Sequence, residues 1–194
     1  LAGHFDAVLR DAERFRRSWE RAGRPVVPNL AGRAHAVAMV HGIRRDDVGR
    51  AAWVQIADGL LGGRFSPSGV VWRPTFDAIV ALHRGEPEVA SDLLAVDVDD
   101  AETWWTSDVN VYRPWYAAAW AEAAVLTGRD DQADRIARAR RATRDNPVAA
   151  AIVERAAVIG DRVALGAIAR TFERLGCPYQ QGRTEELAAP IADP

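Results

Sequence analysis

Pro114-Trp-Tyr-Ala-Ala-Ala-Trp-Ala-Glu-Ala-Ala-Val-Leu-Thr-Gly128 opens on a proline and closes on a glycine, and most of what lies between is alanine or a large apolar side chain. Proline suits the first turn of a helix, where its missing N–H has no intrahelical partner, and glycine suits the left-handed residue just past a helix end. The stretch therefore reads as one helix. Working outward, the same punctuation recurs at Pro28 and Gly42, Pro74 and Gly85, and Pro147 and Gly160, with Pro178 opening a last segment. Each pair brackets a helix of about 11 to 14 residues. The segments after the glycines carry helical patterns too, so the chain is predicted to be a series of helix hairpins repeating every ~30 to 46 residues, the period of helical solenoids.

Internal echoes support the repeat. Trp72-Arg73-Pro74-Thr75-Phe76 returns forty residues later as Tyr112-Arg113-Pro114-Trp115-Tyr116, and Glu20-Arg-Ala-Gly-Arg-Pro25 returns as Glu173-Arg-Leu-Gly-Cys-Pro178. Phe5, Val8, Leu9, Ala12, Phe15 and Trp19 recur at three- and four-residue steps and mark an apolar face on a helix from Phe5 to Ala22. Further helices are predicted near Leu30–His41, Asp46–Leu61, Pro74–Arg84, Pro87–Ala95, Pro114–Thr127, Asp130–Arg144, Pro147–Ile159, Arg162–Leu175 and Tyr179–Ala188. Gly62–Val71 is too broken by glycine, proline and serine to be helical, and Val96–Val111 is the longest irregular connection. The expected architecture is all-α, a single domain over 1–194 built as a tetratricopeptide-like superhelix, or α-solenoid, of about ten helices.

Composition narrows the chemistry. Among 194 residues, 48% are hydrophobic and 27% charged, with a net charge of −2, which is ordinary for a globular protein and gives no general electrostatic case for nucleic acid. Every one of the twenty-five Lys or Arg positions is arginine. This composition points to a GC-rich bacterial genome, and it removes the P-loop lysine, the kinase lysine and any Schiff base. The isolated chain is accordingly expected neither to bind ATP nor to hydrolyse it. Cys177 is the single cysteine, so no internal disulfide and no structural zinc is expected, and it reads as a small residue at a helix end. No apolar run approaches the ~20 residues of a membrane span and no secretory signal pattern opens the chain, so the expected location is cytoplasmic.

Four constellations bear on function. Asp97-x-Asp99-Asp100-x-Glu102 resembles the start of a calcium loop but lacks the later glycine and glutamate, so no metal is expected. Arg135, Arg138, Arg140, Arg141 and Arg144 form a dense basic helix, yet Asp131 with Arg135 and Asp134 with Arg138 have ion-pair spacing, which favours a solvated face over phosphate binding. The histidines at 4, 35, 41 and 83 have no metal-binding helical spacing. The aromatic residues are the richest feature. Trp72, Trp104, Trp105, Tyr112, Trp115 and Tyr116, interleaved with Arg73 and Arg113, fall in about a quarter of the chain. They read either as wedges filling the core between alanine-rich helices or as a ligand site in which aromatics supply apolar surface and an arginine fixes an anion or hydroxyl. Sequence leaves both open, and a site is expected to turn Arg73 or Arg113 toward a cavity.

Gly128-Arg-Asp-Asp-Gln-Ala133 and Gly85-Glu-Pro-Glu-Val-Ala90 resemble the glycine turn and following alanine of tetratricopeptide hairpins, with Gly3-His-Phe-Asp-Ala7 a looser match. Phe172-Glu-Arg-Leu-Gly-Cys-Pro-Tyr-Gln-Gln-Gly-Arg-Thr184 is similar to a segment near the end of the helical-repeat region of large LuxR-type, MalT-like bacterial transcriptional regulators, and Ala118–Ala142 has a related character. Such regulators join an ATPase, a helical-repeat sensor and a DNA-binding helix-turn-helix. This chain lacks the lysine loop and a DNA-reading helix, so the resemblance implies only the sensing scaffold, with no catalytic residue and no cofactor. The implied role is effector sensing or partner binding, the partner being a neighbouring domain, another protein or a small molecule. A stand-alone interaction scaffold and an all-α enzyme using the Trp104–Tyr116 region are the alternatives. Because Leu1 opens the chain and the first helix lacks a preceding partner, the sequence reads as a piece of a longer polypeptide. Phe5, Leu9, Phe15 and Trp19 are expected to leave an apolar patch there, hidden by self-association or by the tail after Ala188.

Overall fold

A computed structural model of the chain describes residues 3–64, 69–100, 102–104 and 110–189. Among these it places ten α-helices and no strand: α1 (Phe5–Arg21), α2 (Ala31–Ile43), α3 (Asp47–Leu61), α4 (Gly69–Arg84), α5 (Pro87–Leu93), α6 (Arg113–Leu126), α7 (Gln132–Thr143), α8 (Pro147–Ala157), α9 (Arg162–Arg174) and α10 (Pro178–Ala188). Local signals set most of these ends. Pro87, Pro147 and Pro178 sit in the first turns of their helices, and Asp46, Asn146 and Asp161 accept backbone N–H bonds as caps. Past α6, Gly128 has φ 65°, and Arg129 N–H donates to Ala124 O at 3.0 Å, the six-to-one bond of a helix-terminating turn that needs a left-handed residue. Gly176 ends α9 in the same way.

Two expectations about helix ends change. Gly42 does not terminate its helix. It lies inside α2, where a β-carbon would come within 2.8 Å of Val80 Cγ2, so its use is to let α2 and α4 approach closely. The left-handed residue that ends α2 is Arg45, at φ 57°. Pro74 does not open α4 either, because the helix begins at Gly69 and takes proline into its interior. The missing N–H leaves the helix one bond short, but the extra turn buries Val71 and Trp72, which are 1% and 2% exposed.

Helices α2, α4, α6 and α8 pack in a row, each beside the next, and α3, α5 and α7 pair with the first three of them as hairpins. Two apolar cores result. One joins α1 to α4 around Trp19, Met39, Trp53 and Trp72. The other runs from α4 to α9 and is dominated by alanine: Ala117, Ala118, Ala119, Ala121, Ala123 and Ala124 of α6 are all buried, with Trp104, Tyr116, Trp120 and Phe172 as the aromatic members. A helix apolar on all sides must be covered on all sides, and α6 is, by α4, α5, α7 and α8. The last helix, α10, pairs with α9 and reaches back across α6 and α8.

The first helix is covered differently from expectation. Trp19 is buried, its indole N–H donating to Pro25 O at 2.9 Å. Phe5 packs on Tyr179 of α10, ring centroids 5.0 Å apart, and Gly3 lies so close to Tyr179 that a β-carbon would come within 2.5 Å. The two ends of the described chain therefore meet through α10. The last five residues lie outside the described residues.

Candidate functional site

The aromatic and arginine residues singled out by sequence separate into two groups. Trp72 packs against His35 (5.2 Å between centroids), while the Arg73 guanidinium lies over the Trp72 ring at 5.1 Å and pairs with Asp58. Tyr112 meets Phe76 edge-on at 5.9 Å, and its hydroxyl stands where a β-carbon on Gly32 would be, 2.8 Å away. In the second group, Trp104 and Tyr116 form an edge contact at 5.2 Å. Both anchor the Val96–Asp100 loop, Trp104 N–H donating to Asp97 O at 3.0 Å and the Tyr116 hydroxyl to Val96 O at 2.9 Å, and burial pushes the Tyr116 phenol far up. Arg113 donates to Val98 O and to Asp99, each at 2.9 Å. Both arginines thus end on carboxylates, and Trp72, Trp104 and Tyr116 are core. Trp105 lies outside the described residues. Of the seven that are described, only Trp115 borders the cavity described below.

The acidic loop and the basic helix neutralise one another. Arg138 of α7 bridges Asp97 and Asp99, Arg141 approaches Asp99 at 3.8 Å, and Arg140 makes a two-pronged pair with Glu154 at 2.7 and 2.8 Å. Arg135 lies 4.2 Å over the Trp120 ring and pairs with Asp131. Among the described residues no group of three or more His, Cys, Asp or Glu side chains could hold a metal ion.

The most unusual chemistry lies where α10 crosses the row. Glu122 of α6 is 2% exposed and accepts from two guanidinium groups: Arg155 of α8 (2% exposed) at 2.6 Å and Arg183 of α10 at 2.5 and 3.2 Å. Arg155 also donates to Gln180 at 2.7 Å and stacks on Phe172, while its Nε has no partner. Burial alone would raise the Glu122 carboxyl, but Arg155 and Arg183 outweigh that and hold it at about 2. Two cations on one anion leave this buried cluster one positive charge in excess. A cavity of about 20 Å³ adjoins it, bordered by Ile79 and Leu82 of α4, Trp115 and Glu122 of α6, Arg155 of α8, and Tyr179 and Arg183 of α10. That is room for about one water.

Beside Tyr179, whose hydroxyl lies 3.4 Å from Nδ1 of His83, burial followed by the charge of Arg183 pushes the His83 pKa down. A second polar knot joins α2, α3 and α4. Asp77 receives Arg50 at 2.9 Å and His35 Nε2 at 3.2 Å. Since the carboxylate accepts, Nε2 donates, and Nδ1 of the buried ring has no partner.

Sequence reasoning did not single out Glu122, Arg155 or Arg183 as a site. A signal existed: Glu122 is the one charge in the run Ala117–Leu126, and Arg155, next to Glu154, interrupts the apolar run Val148–Ile159. Such charges need partners from elsewhere in the fold, which sequence does not name. No protein-family description, no curated protein and no solved structure matches this chain. No helix among the described residues is long and apolar enough to cross a membrane.

Proposed function

We propose that this chain is a non-catalytic helical-repeat sensing module of a LuxR-type, MalT-like transcriptional regulator. In this reading, the groove of α4, α6 and α8 receives an effector or partner, and α10 transmits the event. The observation that carries the reading is the Glu122 cluster. A buried ion pair contributes little net stability compared with apolar packing, but breaking one is expensive, so it suits an element that must be either fully docked or released. Tyr179, Gln180, Arg183 and Thr184, which hold α10 in place, all lie in the segment that resembles the regulators. With room for only about one water beside the docked helix, a larger ligand binds there by moving α10, and its differential affinity for the released state sets the response. The arginines of α7 are consumed by Asp97, Asp99, Asp131 and Glu154, which supports assigning DNA contact to another part of the polypeptide.

The test is reporter transcription driven by the natural polypeptide carrying Arg183→Met or Glu122→Gln. Expected is output that no longer depends on the inducing condition, with circular dichroism showing that the helices persist. Unchanged, fully inducible output from both folded variants would remove α10 from signalling. A reading frame without an ATPase or a helix-turn-helix would remove the regulator.

A further inference from the structure

Helix α1 is anchored at its two ends and borders a groove along its middle. At one end Phe5 meets Tyr179 and Asp6 pairs with Arg44 at 2.7 Å; at the other, Trp19 is buried against Gly59 of α3. Between them Ala12 of α1 faces the same space as Ala34 of α2, and two small residues leave open what large ones would fill. The result is a groove of about 360 Å³ whose floor is Trp53, 3% exposed, and whose walls include Phe15 and Val37. Its lining is apolar except for two charged side chains. Asp11 is taken by Arg14, whereas Arg33 is exposed and forms no hydrogen bond or ion pair among the described residues. An apolar trough with an unneutralised guanidinium at its edge has the two features that select an amphipathic anion: a place for a tail and a fork for a carboxylate.

We propose that this groove binds a medium-chain aliphatic carboxylate, its head group on Arg33 and its tail against Trp53 and Phe15. Decanoate is the probe, its carboxylate matched to the guanidinium and its chain to the apolar walls. This site is separate from the α10 groove and does not rest on the sensing role proposed for it.

Calorimetric titration of the 194-residue chain with decanoate, and with 1-decanol as the neutral probe, tests it. Saturable sub-millimolar binding of decanoate is expected. Arg33→Gln, a surface change that leaves the core alone, should weaken decanoate about five- to tenfold through loss of a charge-assisted contact and leave decanol unchanged. Ala12→Leu, which fills the gap, should abolish binding of both. Absence of saturation with decanoate overturns the proposal, as does binding indifferent to both substitutions. Concentration-dependent dimerisation that Ala12→Leu abolishes, with no decanoate binding, overturns it in favour of a second copy as the occupant.

Discussion

Alanine does opposite things at the two ends of this molecule. Around α6, alanines on every side are met by helices that close in to contact, and the polar atoms left inside are tied by Glu122, Arg155 and Arg183. Around α1, Ala12 and Ala34 are buried at the edge of a groove of about 360 Å³ that stays open between Phe15, Val37 and Trp53, with Phe5 and Trp19 anchoring the two ends of the helix. A small residue yields close packing only where the backbone is free to move in. The C-terminal half is therefore predicted to be intolerant of change, and the N-terminal groove permissive.

The sharpest way to break this comparison is at Glu122. Glu122→Leu strands two buried guanidinium groups and is expected to destabilise by about 3–5 kcal/mol, measured by denaturant unfolding. If it has no effect, the cluster is open to water and the contrast fails. Acid titration examines the same point from the proton side. The folded-state value of about 2 lies below the ordinary 4.5, so the contribution of Glu122 is complete above about pH 4.5 and fades as pH falls toward 2. His83, lowered by burial and by Arg183, acts in the same direction from its ordinary 6.5 downward. The loss between pH 4.5 and 2 should be smaller in Glu122→Gln than in the parent. Equal slopes would assign the acid sensitivity to other carboxylates.

Next in size is a pair of enlargements. Gly42→Ala forces its β-carbon against Val80 and should cost about 1–3 kcal/mol, whereas Ala12→Leu in the groove should be neutral or stabilising. Thermal melts showing the reverse order would mean that α1 settles onto α2 in solution. The smallest effect is a gain. Arg45 ends α2 at φ 57°, a conformation glycine adopts without strain, so Arg45→Gly should stabilise by about 0.5–1 kcal/mol. A loss would show that the Arg45 side chain contributes more than its backbone strain.

Much of the helical layout was legible. Proline, glycine and capping residues act within one turn, so α5, α8 and α9 begin where sequence places them, and α6 and α10 begin within one residue. Gly42 and Pro74 misled because tertiary contact overrode local preference: Val80 needs the space at Gly42, and burial of Trp72 draws the turn before Pro74 into the helix. The aromatic and arginine cluster was visible as composition, but whether Trp72 and Tyr116 face a ligand or a neighbouring helix depends on helix rotation. Structure puts both in the core, with Arg73 and Arg113 on Asp58 and Asp99.

By itself, then, the sequence determined the all-helical class, the hairpin order, and the lack of lysine-dependent chemistry, since each rests on residue identity or on signals a few residues apart. Tertiary structure alone decided that α10 lies over α6 and α8, that Glu122 meets Arg155 and Arg183 from 33 and 61 residues away, and that a groove remains under α1. The reason is range. A cap or a turn is satisfied by its neighbours, but a buried charge is satisfied only by whatever the folded chain brings to it.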